Sequence, residues 1–272
     1  PPVTDKNRLH KRCRHLFDDF LDTSAAHAEV KPGSVSVLSL DGGGIKGLVL
    51  TKILGCLMKQ SGLRITEMFS WITGTSTGGI LSLALAVGLT PLEAQCMYFK
   101  LKDKVFVGNR PYEVEPMEKF LKEVFKDQIM TDLPKKPHIA VTGTLADRLQ
   151  TFFHSMQVIW TFVYRYPADL HFFRNYTSPM DLLNIREELL TNMSPTKKPD
   201  QQSVWRAARS SGAAPTYFRA SGRYIDGGLV ANNPTLDILT EIHERNSALR
   251  CVDRAAEVEK VGVVVSLGTG DP

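Results

Sequence analysis

Two glycine-rich turns constrain this chain more than any other feature. "DGGGIKG" (41–47) and "GTSTGG" (74–79) each follow a short apolar run and each lead into apolar residues at helical spacing. Val35, Val37, Leu38 and Leu40 precede the first turn, and Leu50, Ile53, Leu54, Leu57 and Met58 follow it, up to a stop at Gly62. Phe69–Thr73 precedes the second turn and "ILSLALAVGL" follows it. Strand, turn, helix, repeated in that order, is the grammar of an α/β fold, since parallel strands can be joined only by a crossover.

The rest of the chain extends this pattern. "RYIDGGLVANNPTLDILTEIHERN" reads as strand, turn and helix, with Asn233 as N-cap and Pro234 as the first helical residue. "VGVVVSLGTG" (261–270) reads as a last buried strand running into a glycine turn. Residues 1–33 are charged and close at Lys31-Pro32-Gly33, an extension ahead of a domain spanning 34–272. Ile72 to Leu89 is largely apolar but spends its first third on Gly, Ser and Thr, which fits a buried helix better than a membrane span.

Composition excludes some classes of function. A net charge of +4 and no recognisable binding motif argue against a nucleic-acid partner. The terminal basic cluster Arg8, Lys11, Arg12 and Arg14 reads as a solvated segment or as a weak attraction to anionic lipid. Cys13, Cys56, Cys96 and Cys251 are far apart, which fits a reducing, cytoplasmic setting rather than zinc or a disulfide framework. The Pro1-Pro2 start suggests a piece of a longer chain, and the sequons at Asn175 and Asn192 are short enough to arise by chance.

Three chemistries compete for the first glycine turn. A dinucleotide site needs an acid after the second strand, yet Glu67 precedes that strand. A P-loop needs Lys and Ser or Thr where Leu48 follows Gly47. The third reading accounts for both turns. Gly74-x-Ser76-x-Gly78 between strand and helix has the form of a nucleophile elbow, and Gly42, Gly43 and Gly44 can offer bare N–H groups to the oxyanion the serine creates. The base is less determined. Asp226 stands at a strand end before two glycines and can act directly on the serine or be a turn residue, while His243 lies in a helical run. Spacing does not choose between a Ser76–Asp226 dyad and a Ser76–Asp226–His243 triad.

The motifs "LSLDGGGIKGLVL", "ITGTSTGGILSLAL", "MYFKLKDKVF", "RPYE", "VWRAARSSGAAPTYF", "IDGGLVANNPTLD" and "VVSLGTG" occur in order over most of residues 35–270. Together they resemble the patatin-like phospholipases, and within them the catalytic domain of the group VI calcium-independent phospholipases A2. The resemblance implies a three-layer α/β fold with a mainly parallel sheet between helices. It implies a dyad of Ser76 and Asp226, an oxyanion hole around Gly43 and Gly44, and Lys46 as a helper for the oxyanion or a lipid phosphate. "SSGAAP" is expected to pack around the active site. No metal or cofactor is expected; the implied partners are a glycerophospholipid, the membrane surface on which the chain would act peripherally, and a second copy in a homodimer. A general esterase, lysophospholipase or thioesterase using His243, and a catalytically silent lipid-binding module, are the alternatives. Retention of Ser76, Asp226 and the loop glycines argues against the silent module.

One stretch departs from the family pattern. "LQTFFHSMQVIWTFVYR" (149–165) is aromatic, apolar and too short to span a bilayer. It reads as a membrane-interface element, as an insertion packed on the body, or as an unusual splice or gene-model product. Family members of this type often carry ankyrin repeats upstream; none is present in this chain.

Overall fold

The computed structural model describes residues 33–146, 168–185 and 196–270. The extension up to residue 32 with its basic cluster, the aromatic stretch 149–165 and Asn192 lie outside the described residues. Strand β1 (Ser34–Leu40) leads through the first glycine turn into helix α1 (Gly47–Ser61), which ends at Gly62 in the left-handed conformation. β2 (Trp71–Gly74) leads through the second turn into α2 (Thr77–Ala86). Helices α3 (Pro91–Val105) and α4 (Val114–Phe125) follow, then β3 (His138–Leu145) and β4 (Asp169–Arg174). Helix α5 (Val204–Ser211), β5 (Tyr224–Asp226), α6 (Thr235–Cys251) and β6 (Lys260–Leu267) complete the described chain.

The sheet runs β4-β3-β2-β1-β6, with β5 also paired to β3. β1, β2, β3 and β6 are parallel; β4 and β5 run against β3. Alternate residues of each strand enter opposite layers, as the two-residue period requires. Leu38, Leu40, Ile72, Ile139, Val141 and Phe173 pack with the helices on one face. Val35, Val37, Trp71, Ala140 and Phe172 meet Ile238 and Ile242 of α6 on the other. This is the expected mainly parallel, three-layer arrangement.

Helix α2 is buried along its whole length, so residues 72–89 form a strand, a turn and an interior helix. Burying side chains such as Leu81 and Leu83 stabilises the fold by roughly 2 kcal/mol each. Among the described residues, no helix is long and apolar enough to cross a membrane.

Three local expectations need correction. β6 is not buried: exposed and half-buried residues alternate along it, and Val264 is 39% exposed. It stands at the edge of the sheet on β1, so its valine run reflects strand propensity rather than cover on both faces. β2 begins two residues later than expected, because Ser70 serves as a junction: its N–H donates to Ser36 and its carbonyl accepts from His138. Helix α6 starts at Thr235 with Pro234 at the cap position; Asn233 Oδ1 still accepts the Thr235 N–H at 3.0 Å, as a capping side chain would.

The α6 layer is fastened to the sheet by a charged pair. Arg174 of β4 donates through Nε and Nη2 to Glu241 of α6 at 2.6 and 2.9 Å, and the Tyr176 hydroxyl donates to the same carboxylate at 3.1 Å. Such a bidentate pair is worth little against an apolar replacement, but removing one partner strands the other. Glu241→Ala is therefore expected to lower unfolding free energy by roughly 3 kcal/mol in urea titrations, with activity preserved in the protein that stays folded.

Candidate active site

The register along β3 sets the geometry of the site. Gly74, the last residue of β2, lies opposite Val141, and Asp226, the last residue of β5, lies opposite Gly143. β4 occupies the other edge of β3 over the same stretch. β5 therefore continues the line of β2, and Asp226 arrives where the chain leaves Gly74 for the elbow. Ser76 Oγ donates to Asp226 Oδ2 at 2.6 Å.

The elbow needs its glycines for steric reasons. A Cβ on Gly74 would come 2.3 Å from the Gly78 carbonyl oxygen, and one on Gly78 would come 2.3 Å from the Leu40 carbonyl oxygen. Between them Ser76 has φ +53°, a conformation that costs a side-chain-bearing residue about 1–2 kcal/mol. Several bonds hold it there. The Ser76 N–H donates to Ser211 Oγ at 2.8 Å, and Thr75 Oγ1 donates to the Ala231 carbonyl at 2.6 Å. Thr75 Oγ1 also accepts from Thr142 Oγ1 on β3 at 2.7 Å.

Asp226 is 5% exposed. Burial raises its pKa to about 6, against the opposing hydrogen bonds from Ser76 and from the Gly228 N–H. The second bond, 2.7 Å to Oδ1, fixes the carboxylate plane and leaves Oδ2 for the serine. The Asp226 N–H donates to the Ala213 carbonyl at 3.1 Å. "SSGAAP" thus touches both residues, through Ser211 and Ala213.

The three candidate oxyanion glycines separate. The Gly42 N–H donates to the Asn232 carbonyl at 3.0 Å, and Gly42 is buried behind the loop. Gly43, Gly44 and Lys46 line the same cavity as Ser76. Gly44 has φ +55°, and a Cβ on Gly43 would come 2.2 Å from Thr269 Oγ1. Thr269 in turn donates to the Gly42 carbonyl at 2.9 Å, so the turn after β6 backs the glycine loop. Asp41 at the start of the loop is hydrogen-bonded to Asn233, while burial raises its pKa.

The cavity has a volume of about 490 Å³. Its walls are mainly apolar, with Ile80, Leu101, Phe106, Met117 and Phe218 among them, and Lys46, Lys102 and Arg110 are the charged residues among the described lining. His243 is exposed on α6, away from the side that packs Ile238 and Ile242 on the sheet. Among the described residues, no three His, Cys, Asp or Glu side chains come together to hold a metal ion. Asn175 is no surface sequon: its side chain bonds Ile139, Pro134 and Pro137. Ser211, Asn232 and Thr269 had no individual role in the sequence reading, since each acts through a partner far away in the chain.

The raised Asp226 pKa has a stability consequence. An unperturbed aspartate titrates near 3.8, so between about pH 4 and 6 the folded protein holds a proton that the unfolded chain has released. Stability from this group is complete below pH 4 and is lost as pH rises through 6, by roughly 2–3 kcal/mol. Asp226→Asn is accordingly expected to be about 2 kcal/mol more stable than the unsubstituted chain at pH 7.5, with the gap closing below pH 4; chemical denaturation at the two pH values measures it.

Residues 38–239 match the family model described as "Patatin-like phospholipase". Over 235 residues the chain is 48% identical to the 85/88 kDa calcium-independent phospholipase A2 of Mus musculus, covering 86% of this chain and 27% of that protein. It is 33% identical to the intracellular phospholipase A2 of Caenorhabditis elegans over 92% of this chain and 21% of that one. It is 29% identical to the calcium-independent phospholipase A2-gamma of Mus musculus over 89% and 29%. The chain thus spans less than a third of the length of these curated relatives. With the family model covering most of its described core, the chain belongs to the patatin-like phospholipase family.

Proposed function

We propose that this chain is a calcium-independent lipid acyl hydrolase of the phospholipase A2 type, working through a Ser76–Asp226 dyad. The observation that carries the reading is the 2.6 Å bond from Ser76 Oγ to a carboxylate that is buried and raised to about 6. At neutral pH such a group is ionised, yet it is basic enough to accept the serine proton. Ser76 Oγ attacks the ester carbonyl carbon as its proton passes to Asp226. The N–H groups of Gly43 and Gly44 are assigned to the oxyanion, with Lys46 beside them. Collapse of the tetrahedral species expels the lysophospholipid alcohol, which takes its proton from Asp226 and leaves an acyl-Ser76 ester. Asp226 then takes a proton from water, whose oxygen attacks that ester to release the fatty acid and restore Ser76.

Substrate class rests on the family and on the names of the relatives, which are phospholipases A2. An apolar cavity opening beside cations suits an acyl chain bearing a charged headgroup, so the enzyme would work peripherally on a phospholipid surface. An intracellular setting is supported by the name of the nematode relative and by free, exposed Cys56, Cys96 and Cys251.

With the oxyanion assigned to backbone donors, phosphatidylcholine vesicles should be hydrolysed to fatty acid and lysophospholipid in excess EDTA. Loss of product that added calcium restores would contradict the mechanism.

A second experiment separates dyad from triad. Asp226→Asn is expected to lower turnover to near the level of Ser76→Ala, since it removes the proton acceptor. His243→Ala should retain near-normal turnover, and kcat/KM should rise with pH through about 6 as Asp226 ionises. A collapse of folded His243→Ala to the Ser76→Ala level would establish the triad instead.

A further inference from the structure

Among the described residues, three cations line the cavity and no carboxylate does. Lys46 comes from the glycine loop; Lys102 comes from the last turn of α3 and Arg110 from the segment after it. Among the described residues, neither Lys102 nor Arg110 is paired with a carboxylate, whereas Lys104, two positions on and outside the cavity, meets Glu123 at 3.4 Å. Lys102 and Arg110 are both exposed, so their charges are solvated in the empty cavity and stand ready for an anion that enters it.

Arg110 is held in place. Its guanidinium carbon lies 3.9 Å from the centre of the Tyr217 ring. Tyr217 accepts the Tyr112 N–H at 2.7 Å, and Phe106 packs edge-on against Tyr112 with centres 5.4 Å apart. This aromatic wall occupies one face of the guanidinium. A guanidinium stacked in this way can still turn its remaining N–H groups to the oxygens of a phosphate. Hydrogen bonds to Tyr112 and Tyr217 raise the Arg110 pKa, so the group stays charged.

Resting on the acyl-hydrolase reading, we propose that Lys102 and Arg110 form an anion subsite for the phosphodiester of the lipid headgroup. The site makes the enzyme prefer phosphate-bearing over neutral acyl esters. The acyl chain lies against Ile80, Leu101 and Met117, its ester carbon at Ser76, and the phosphate at the two cations. Selectivity for phospholipid is then built into the cavity, separately from any attraction between the protein and a charged bilayer.

Mixed micelles of a nonionic detergent with either phosphatidylcholine or diacylglycerol remove the bilayer from the comparison. In the Lys102→Gln/Arg110→Gln double variant, kcat/KM for phosphatidylcholine should fall about tenfold or more relative to that for diacylglycerol, through KM. Lys104→Gln should leave the ratio unchanged. Equal loss on both substrates, or no loss on either, would overturn the proposal. Binding of hexadecylphosphocholine below its micelle concentration gives a readout without catalysis. Weaker binding in the double variant supports the subsite even if the unsubstituted chain cleaves no acyl ester, an outcome that would sink the hydrolase reading alone. Unchanged binding, or displacement of the probe by an equal concentration of inorganic phosphate, would sink the headgroup subsite.

Discussion

A carboxylate taken out of water must be solvated by donors aimed at it, and the centre of this molecule is arranged around that need at Asp226. Its two oxygens receive the Gly228 N–H and the Ser76 hydroxyl. These two bonds only partly offset the burial, and the residual imbalance holds the pKa up near 6, which is what the proposed dyad asks of its base. Every contact that brings Ser76 to the carboxylate therefore has two effects: it lowers the cost of burying the charge, and it sets the hydroxyl in line for the proton transfer that the proposed dyad requires. β3 supplies the common scale, because both approaching strands end on it within two residues of each other.

The same crowding explains why the two glycine turns are interdependent. A Cβ on Gly47, at the start of α1, would come 2.4 Å from Thr77 Oγ1, at the start of α2. Two helices thus begin side by side, each with the positive end of its dipole at the end where the cavity-lining residues Lys46 and Thr77 stand. Negative charge developing on a substrate oxygen would meet that field before any side chain moved. Lys46 adds to the same field from the loop, and Lys102 and Arg110 extend it along the cavity.

Much of this was legible in the sequence because the requirement was local. Glycines two positions either side of Ser76 are demanded by the turn itself, and alternating runs such as Val35–Leu40 reveal their own strand. Requirements met by distant partners left no local trace. Gly42 reads like Gly43 and Gly44, and only the carbonyl of Asn232 shows that its N–H is committed. Ser211 stood inside a block expected to pack near the site, but nothing in "SSGAAP" says which hydroxyl accepts the Ser76 N–H. The valines of β6 suggested full burial because strand propensity and cover produce the same residues at the edge of a sheet as in its middle.

Thr269 has a consequence for the order in which the molecule can be completed. It reaches back across 227 positions to the Gly42 carbonyl, and its side chain fills the space that a Cβ on Gly43 would need. Contacts of such separation close late, since the intervening chain must first be organised. On the ribosome the serine and its strand emerge long before the residue that backs the glycine loop, and domains form as the chain lengthens. A nascent chain would therefore carry Ser76 for some time while the loop opposite remained unbraced. On the acyl-hydrolase reading, the loop proposed to hold the oxyanion would gain its support only once the turn after β6 had docked behind it.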